Sequence, residues 1–249
     1  MELRAIRTSL KEIQSLRLLY LQEINAQVRY NSCHERGWTD PWLLLANGLP
    51  VGYGSVRGQE EIRDRDTVFE CYVIPSFRGV LSELFAELLR ESGVRWIECQ
   101  SNDPVLPALL YAFANQIKSP VILFKDGVVT RYTAPGVIFR PRHDGDVLFE
   151  HHHEPEGDYV LEAEGKIVAS AGFLKHYNLP FADIYMEVTE GFRRRGLGGY
   201  IVQQVKRECY LAGRVPAARC NTENAASKAT LLKAGLAIAG YMLIGEVKK

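Results

Sequence analysis

Positive and negative charge cancel in this sequence: 30 Lys and Arg stand against 30 Asp and Glu, for a formal net charge of zero. Without an excess of either sign, broad electrostatic attachment to nucleic acid or to an anionic membrane surface is not expected. Long apolar runs are missing as well. Nothing approaches the ~20 residues of a membrane span, and the opening Met1-Glu-Leu-Arg-Ala-Ile-Arg7 holds no apolar signal core. The five cysteines (33, 71, 99, 209 and 220) form no C-x-x-C pair and no zinc-type spacing. Their odd number and their places inside apolar patterns read as reduced core thiols of a soluble, cytoplasmic protein with no metal site. No Gly-Lys-Ser/Thr triplet occurs, and the glycines do not fit G-x-G-x-x-G, which sets aside a P-loop and a dinucleotide fold. What is present is ordinary for a globular chain: 47% hydrophobic and 24% charged residues over 249 positions, enough for one large or two small domains.

The most informative stretch is residues 183–199, D-I-Y-M-E-V-T-E-G-F-R-R-R-G-L-G-G. It starts as a β-rich run and ends in three arginines and three glycines. A helical pattern follows at once, with Ile201, Val205, Cys209 and Ala212 on one stripe. A strand that breaks into a glycine-rich turn and opens a helix makes an anion seat, because the first-turn N–H groups and the macrodipole both face the ligand. Gly196, Gly198 and Gly199 let a phosphate approach the backbone, and Arg193, Arg194 and Arg195 can neutralise it. These residues predict a phosphorylated cofactor.

Taken in order, the chain predicts a short strand near residues 3–6 and a helix opened by the capping box Ser9-Leu-Lys-Glu12 and running to about Val28. A hairpin turns at Asn47-Gly48, whose residues suit the positive φ angles of a type I′ turn. Strands over 67–74 and 94–99 flank a helix over 79–92. A helix over 107–116 and a second hairpin, 121–124 with 128–132, complete the first half. The pattern then restarts. Trp42-Leu-Leu-Leu-Ala-Asn-Gly matches Tyr159-Val-Leu-Glu-Ala-Glu-Gly, Ser76-Phe-Arg-Gly79 matches Gly191-Phe-Arg-Arg-Arg-Gly196, and Cys99 matches Cys220. The offset, about 117 residues, reads as two tandem α/β domains, 1–134 and 135–249. The copies are unequal. The first keeps Arg78 and Gly79 but has Val80-Leu81-Ser82 in place of the glycines, so it is expected to bind no cofactor. The second has little between Arg140 and Tyr159, where the first carries its long helix.

Arg193-x-x-Gly196-x-Gly198 behind a strand, within Val188-Thr-Glu-Gly-Phe-Arg-Arg-Arg-Gly-Leu-Gly, resembles the pyrophosphate loop of the GNAT superfamily of acyl-CoA N-acyltransferases. Asn224-x-x-Ser227 followed by Leu232-Lys-Ala-Gly-Leu236 is similar to that family's second signature. The resemblance covers about a hundred C-terminal residues. It implies an α/β fold, a mixed sheet with flanking helices, as two tandem GNAT-like domains of which the C-terminal one is intact. It further implies acetyl-CoA as co-substrate, an amine as acceptor, and no nucleic-acid or membrane partner. Val188, Arg193, Arg194, Arg195, Gly196, Leu197, Gly198, Gly199, Asn224 and Ser227 would contact the cofactor, and the Val188 backbone N–H would polarise the thioester oxygen. Candidate bases are Glu187, Asp183 and His176; the position at which several members carry a base glutamate is Ala182 here. The general-acid tyrosine of many members falls at Leu231. These departures keep a second reading open, a non-catalytic acyl-CoA sensor. His151-His152-His153-Glu154 reads as a solvated loop or acceptor-site lining rather than a metal set.

Overall fold

The computed structural model describes residues 1–28, 31–61, 63–152 and 155–248. The chain forms two compact units, Met1–Val121 with Gly240–Lys249, and Ile122–Ala239. The first contains β1 (Leu3–Arg7), α1 (Leu10–Ile24), α2 (Asn31–Glu35), β2 (Asp40–Ala46), β3 (Leu49–Arg57), β4 (Thr67–Val73), α3 (Leu81–Ser92), β5 (Trp96–Gln100) and α4 (Leu106–Phe113). After β6 (Ala114–Asp126) the second contains β7 (Val137–Pro141), β8 (Tyr159–Ala163), β9 (Lys166–Leu174), β10 (Phe181–Val188), α5 (Leu197–Leu211), β11 (Val215–Asn221) and α6 (Ala225–Lys233), before β12 (Leu236–Val247). Among the described residues no helix is long and apolar enough to cross a membrane.

Each unit is built on the same mixed sheet. In the first, β1, β2, β3 and β4 are successively antiparallel and β5 lies parallel to β4. In the second, β7, β8, β9 and β10 are successively antiparallel and β11 lies parallel to β10. The turns repeat as well. Asn47 and Gly48 take φ of 50° and 78°, and Glu164 and Gly165 take 53° and 71°, the positive angles a tight two-residue hairpin demands.

The division is not the sequential cut expected at 134/135. The last residues of β12 join the first unit, pairing antiparallel with β5 from Met242↔Gln100 to Glu246↔Trp96. The hairpin expected from 121–124 and 128–132 is also absent, since β6 continues as one strand to Asp126. Backbone groups that such a hairpin would pair are taken by other partners. Val128 N–H donates to the Gly235 carbonyl (2.8 Å), and the Gln203 side chain brackets Tyr132, accepting from its N–H (2.6 Å) and donating to its carbonyl (3.0 Å). Lys206, buried on α5, donates to the Val128 carbonyl (2.8 Å). At the other end of the chain the capping box does not close. Ser9 makes no side-chain cap bond, and Asn25 in the left-handed region (φ 41°) stops α1 at Ile24.

The α1 stripe Ile13, Arg17, Tyr20 and Ile24 is buried, and the charge in it is paired. Arg17 meets the fully buried carboxylate of Glu70 on β4 through Nε (3.0 Å) and Nη2 (3.1 Å), while His34 Nε2 and the Tyr53 hydroxyl each lie 3.0 Å from the same carboxylate. Burial alone would raise the Glu70 pKa, but Arg17 and His34 outweigh it and hold the group well below the usual carboxylate range.

Candidate functional site

The two neighbours of β10 reach unequally along it. β9 pairs from Asp183↔Leu174 through Val188↔Ala169, whereas β11 pairs only from Phe181↔Val215 to Ile184↔Ala218. Thr189 N–H donates to the Val168 carbonyl (3.0 Å), and antiparallel bonding repeats every second residue, so Glu187 and Tyr185 also turn their N–H groups toward β9. The N–H groups of Met186 and Val188 point the other way, past the end of the pairing with β11. They face a cavity of about 960 Å³ whose far wall is α6. The residues α6 presents there are short, Ala226, Ser227, Ala229 and Thr230, with Lys233 beyond them. A leucine-bearing face would fill the gap; this alanine-rich one leaves it open.

One end of the cavity is the loop from Val188 into α5. A single 3-10 turn, Glu190–Phe192, reverses the chain, and Arg193 Nε then donates back to the Val188 carbonyl at 3.0 Å. Arg194 (φ 63°) and Gly196 (φ 82°) take left-handed conformations that aim the following amides at the cavity. The N–H groups of Leu197, Gly198 and Gly199 belong to the first turn of α5 and have no intrahelical acceptor. At Gly198 an added Cβ would stand 3.1 Å from Thr230 Cγ2 and 3.2 Å from Met186 Cε, so a side chain there crowds both walls. At Gly199 the nearest atom is Lys233 Cδ at 3.9 Å, so close packing does not demand glycine.

The three arginines do not converge. Arg193 and Arg194 line the main cavity, whereas Arg195 stacks over the Phe192 ring (4.6 Å to the centroid) and lines a second cavity of about 520 Å³ with Tyr132 and Lys233. Asn224 and Ser227 sit together on the α6 wall, where Asn224 Oδ1 accepts the Ser227 N–H (2.9 Å) and caps the helix.

The first unit carries the same features in closed form. β4 pairs with β5 only at Thr67↔Trp96 and Val68↔Ile97, and Arg78 Nε donates to the Val73 carbonyl (3.2 Å) just as Arg193 does to Val188. There α4 contributes Leu106, Leu109 and Leu110 to one apolar cluster with Cys71 and Val73, so the splay is filled by core.

On the strand face shared by odd-numbered β10 residues, Glu187 lines the cavity with 16% of its side chain exposed, and its carboxylate accepts the His152 N–H at 3.1 Å. Tyr185 lines it too; burial, with Asp158 nearby, pushes its hydroxyl up to about 12. Asp183 is buried and committed elsewhere, to Arg219 Nε (3.0 Å) and His176 Nε2 (3.1 Å). Neither Asp183 nor His176 lines the cavity. Ala182 and Leu231 are buried, so neither position offers a functional group.

His153 and Glu154 lie outside the described residues, and among the described residues no three His, Cys, Asp or Glu side chains are grouped to hold a metal. His151 instead meets a partner that sequence reasoning missed: its Nε2 lies 2.5 Å from Ser170 Oγ. Ser170 is the cross-strand partner of Glu187, a relation visible only once the β9–β10 register is known.

Residues 127–236 match a family model described as the Acetyltransferase (GNAT) family. No curated protein matches the chain. Among solved structures, an acetyltransferase of the GNAT family from Colwellia psychrerythraea superposes with a TM-score of 0.75 at 14% identity, covering 100% of both chains. A GCN5-related N-acetyltransferase from Sphaerobacter thermophilus gives 0.63 at 14% identity over 99% of this chain and 96% of that one. A tandem GNAT protein from the clavulanic acid biosynthesis pathway gives 0.60 at 14% identity over 100% and 99%. Over its whole length the chain therefore has the fold of tandem GNAT proteins.

Proposed function

We propose that the second unit, which contains the stretch matched by the acetyltransferase (GNAT) family model, binds acetyl-CoA and transfers its acetyl group to the nitrogen of an amine, in the cytoplasm. The observation that carries this reading is the cavity that begins at the unpaired N–H groups of Met186 and Val188 and ends at the first turn of α5. A strand edge with free donors suits the amides of a pantetheine arm. A helix N-terminus with a glycine that a Cβ would crowd suits a pyrophosphate. When bound, acetyl-CoA supplies an activated acyl group and a leaving thiolate.

The chain's own residues divide the work. The amides of Leu197, Gly198 and Gly199, with Gly196 setting the turn, would cradle the pyrophosphate, and Arg193 and Arg194, on the same cavity, would neutralise it. Arg195 lines the neighbouring cavity instead. Asn224 and Ser227 flank the pantetheine while capping α6. The Val188 N–H, turned toward the cavity, would donate to the acyl oxygen and stabilise negative charge there. Glu187, one residue earlier and facing the cavity, receives the acceptor ammonium and takes a proton from it, freeing the nitrogen lone pair for attack. A thiol with an ordinary pKa of around 8.5 departs as thiolate near neutral pH, so no donor is needed where Leu231 stands.

The test is release of free thiol from acetyl-CoA with a panel of primary amines: a polyamine, an amino-acid amide and a peptide N-terminus. Turnover with one of them supports the reading. One observation favours the alternative, an acyl-CoA sensor: the buried side chain at Leu231 carries no hydroxyl. Calorimetric binding of acetyl-CoA with no thiol release from any amine would select the sensor.

A further inference from the structure

The cavity of about 520 Å³ beside the loop into α5 adjoins the main one, since Phe192, Gly196, Leu197 and Lys233 line both. Two cations line it, Arg195 from the loop and Lys233 from the last turn of α6. Each rests over an aromatic ring. The Arg195 guanidinium carbon stands 4.6 Å from the centroid of Phe192, and the Lys233 ammonium 5.5 Å from that of Tyr132. The ring under Lys233 is itself fixed. Gln203 holds the Tyr132 backbone at both N–H and carbonyl, and the Tyr132 hydroxyl donates to the Lys233 carbonyl at 2.8 Å. A ring contact restrains a cation while leaving its N–H donors available to an anion. Elsewhere in this unit arginines are neutralised in place: Arg140 by Asp146 and Glu162, Arg142 by Glu156, Arg219 by Asp183. Among the described residues Arg195 and Lys233 have no such carboxylate partner. Glu164 lines the same cavity but pairs with neither, so the lining stays net positive.

We propose that Arg195 and Lys233 form a second anion seat that reads the ribose 3′-phosphate of the cofactor, with Tyr132 positioning Lys233 for it. The proposal rests on the acyl-CoA reading above. CoA carries two separate anionic groups, the pyrophosphate and a phosphate monoester on the ribose beyond it. If the pyrophosphate sits on the amides of residues 197–199, the nucleotide end must leave the main cavity at the loop. The cavity that shares Gly196 and Leu197 with the main one opens there. A phosphate monoester carries a charge of about −1.5 to −2 near pH 7 and offers three strong acceptor oxygens, enough to engage both cations. The seat thereby selects the acyl donor. It favours a free CoA thioester over the dephospho form, and over an acyl group on a protein-bound phosphopantetheine arm, because both of those lack the monoester.

The experiment measures calorimetric affinity of the full-length protein for CoA and for dephospho-CoA, which differ only in the 3′-phosphate. The wild type should prefer CoA by roughly ten- to a hundredfold, the range expected for charge-assisted hydrogen bonds. Arg195→Gln and Lys233→Gln should each narrow that preference, and the double variant should erase it. All three should keep their affinity for dephospho-CoA within about threefold of the wild type. Tyr132→Leu, which removes the ring under Lys233, should also narrow the preference. Acetyl-dephospho-CoA should show an unchanged kcat and a raised KM, because a remote group held equally throughout the reaction adds only uniform binding. A readout independent of turnover is the 31P spectrum of bound CoA. Its monoester signal should shift on binding to the wild type and stay at the free position in the double variant, while the diphosphate signals shift in both. Equal wild-type affinities for CoA and dephospho-CoA, or variants that lose both ligands alike, overturn the seat while leaving acyl transfer standing. Dephospho-CoA binding that tightens to the CoA value on adding inorganic phosphate would assign the seat to a free anion and overturn it too. Absence of binding by either form, with no turnover of any amine, overturns the acyl-CoA reading and the seat with it.

Discussion

Arg78 is clamped by Glu23, whose two carboxylate oxygens each lie 2.6 Å from its Nη2. Its counterpart Arg193 makes the same backbone bond but stands at the mouth of an open cavity. The pair explains how one loop design yields two outcomes. In the first unit the arginine is neutralised by α1, and α4 leucines fill the splay behind it. Calorimetry should therefore give one CoA per chain. Arg78→Ala should leave the affinity within about twofold, while Arg193→Ala should weaken it roughly ten- to a hundredfold, as expected for a charge-assisted hydrogen bond. A stoichiometry of two would refute the closed reading of the first unit.

Gly198 is the most sensitive backbone position of the loop. Even a methyl group there stands 3.1 Å from Thr230 Cγ2 and 3.2 Å from Met186 Cε, so both walls must give way. Gly198→Ala should weaken CoA binding by about tenfold, and Gly198→Glu, adding bulk and a like charge, should abolish it. At Gly199 the space is open to 3.9 Å, and Gly199→Ala should be near neutral. Titration of the three variants separates steric demand from mere membership of a glycine-rich run. Equal losses at both positions would count against the crowding argument.

Much of this was legible in the sequence, and for local reasons. Asn47-Gly48 and Glu164-Gly165 fix their hairpins because the required φ angles are properties of those few residues. Phe181–Val188 and Leu236–Val247 fall where the alternation and turn residues put them. The errors are equally physical. Lys125-Asp-Gly127 has turn chemistry, yet the residues beyond it are captured by Gln203 and Lys206 from a helix some seventy residues away. The exchange of β12 residues into the first unit depends on pairing with β5, which no local pattern encodes. At the site, the loop glycines were readable from spacing, but the divergence of Arg195 from Arg193 was not. The contact of His151 with Ser170 was hidden too, because it joins a loop to a strand through a register.

Removing the buried charge at Glu70 should cost the fold far more than a surface substitution. Glu70→Gln leaves Arg17, whose side chain is 9% exposed, without its counter-charge, a loss of about 3–5 kcal/mol near neutral pH. The pH dependence has a definite sign. The folded-state pKa of Glu70 lies below its ordinary value of 4.5, so its stabilisation is fully present above that value and fades as the pH falls through the folded value. The gap in urea midpoint between wild type and Glu70→Gln should be wide at about pH 7 and narrower at about pH 3. A gap that widens on acidification would contradict the ion-pair account.

The last expectation concerns Tyr185, the one tyrosine among the described residues that lines the main cavity. Tyr185 stands two residues before Glu187 on the same face, and its hydroxyl packs across Gly172, where even a Cβ would lie 2.3 Å from it. Burial, with Asp158 nearby, pushes that hydroxyl up to about 12. A thiol of ordinary pKa, around 8.5, is the stronger acid, so transfer from Tyr185 to the leaving thiolate would run uphill. Departure without protonation is the cheaper course. Tyr185→Phe should therefore keep kcat within about threefold, and kcat/KM should rise with pH along a single limb as the acceptor amine and its base deprotonate. No tyrosine-linked fall should appear near pH ~10 in either protein. The check is kcat/KM against pH for wild type and variant with one amine. A loss on the order of a hundredfold in Tyr185→Phe, together with a falling limb that disappears in the variant, would make Tyr185 the proton donor to the leaving sulfur.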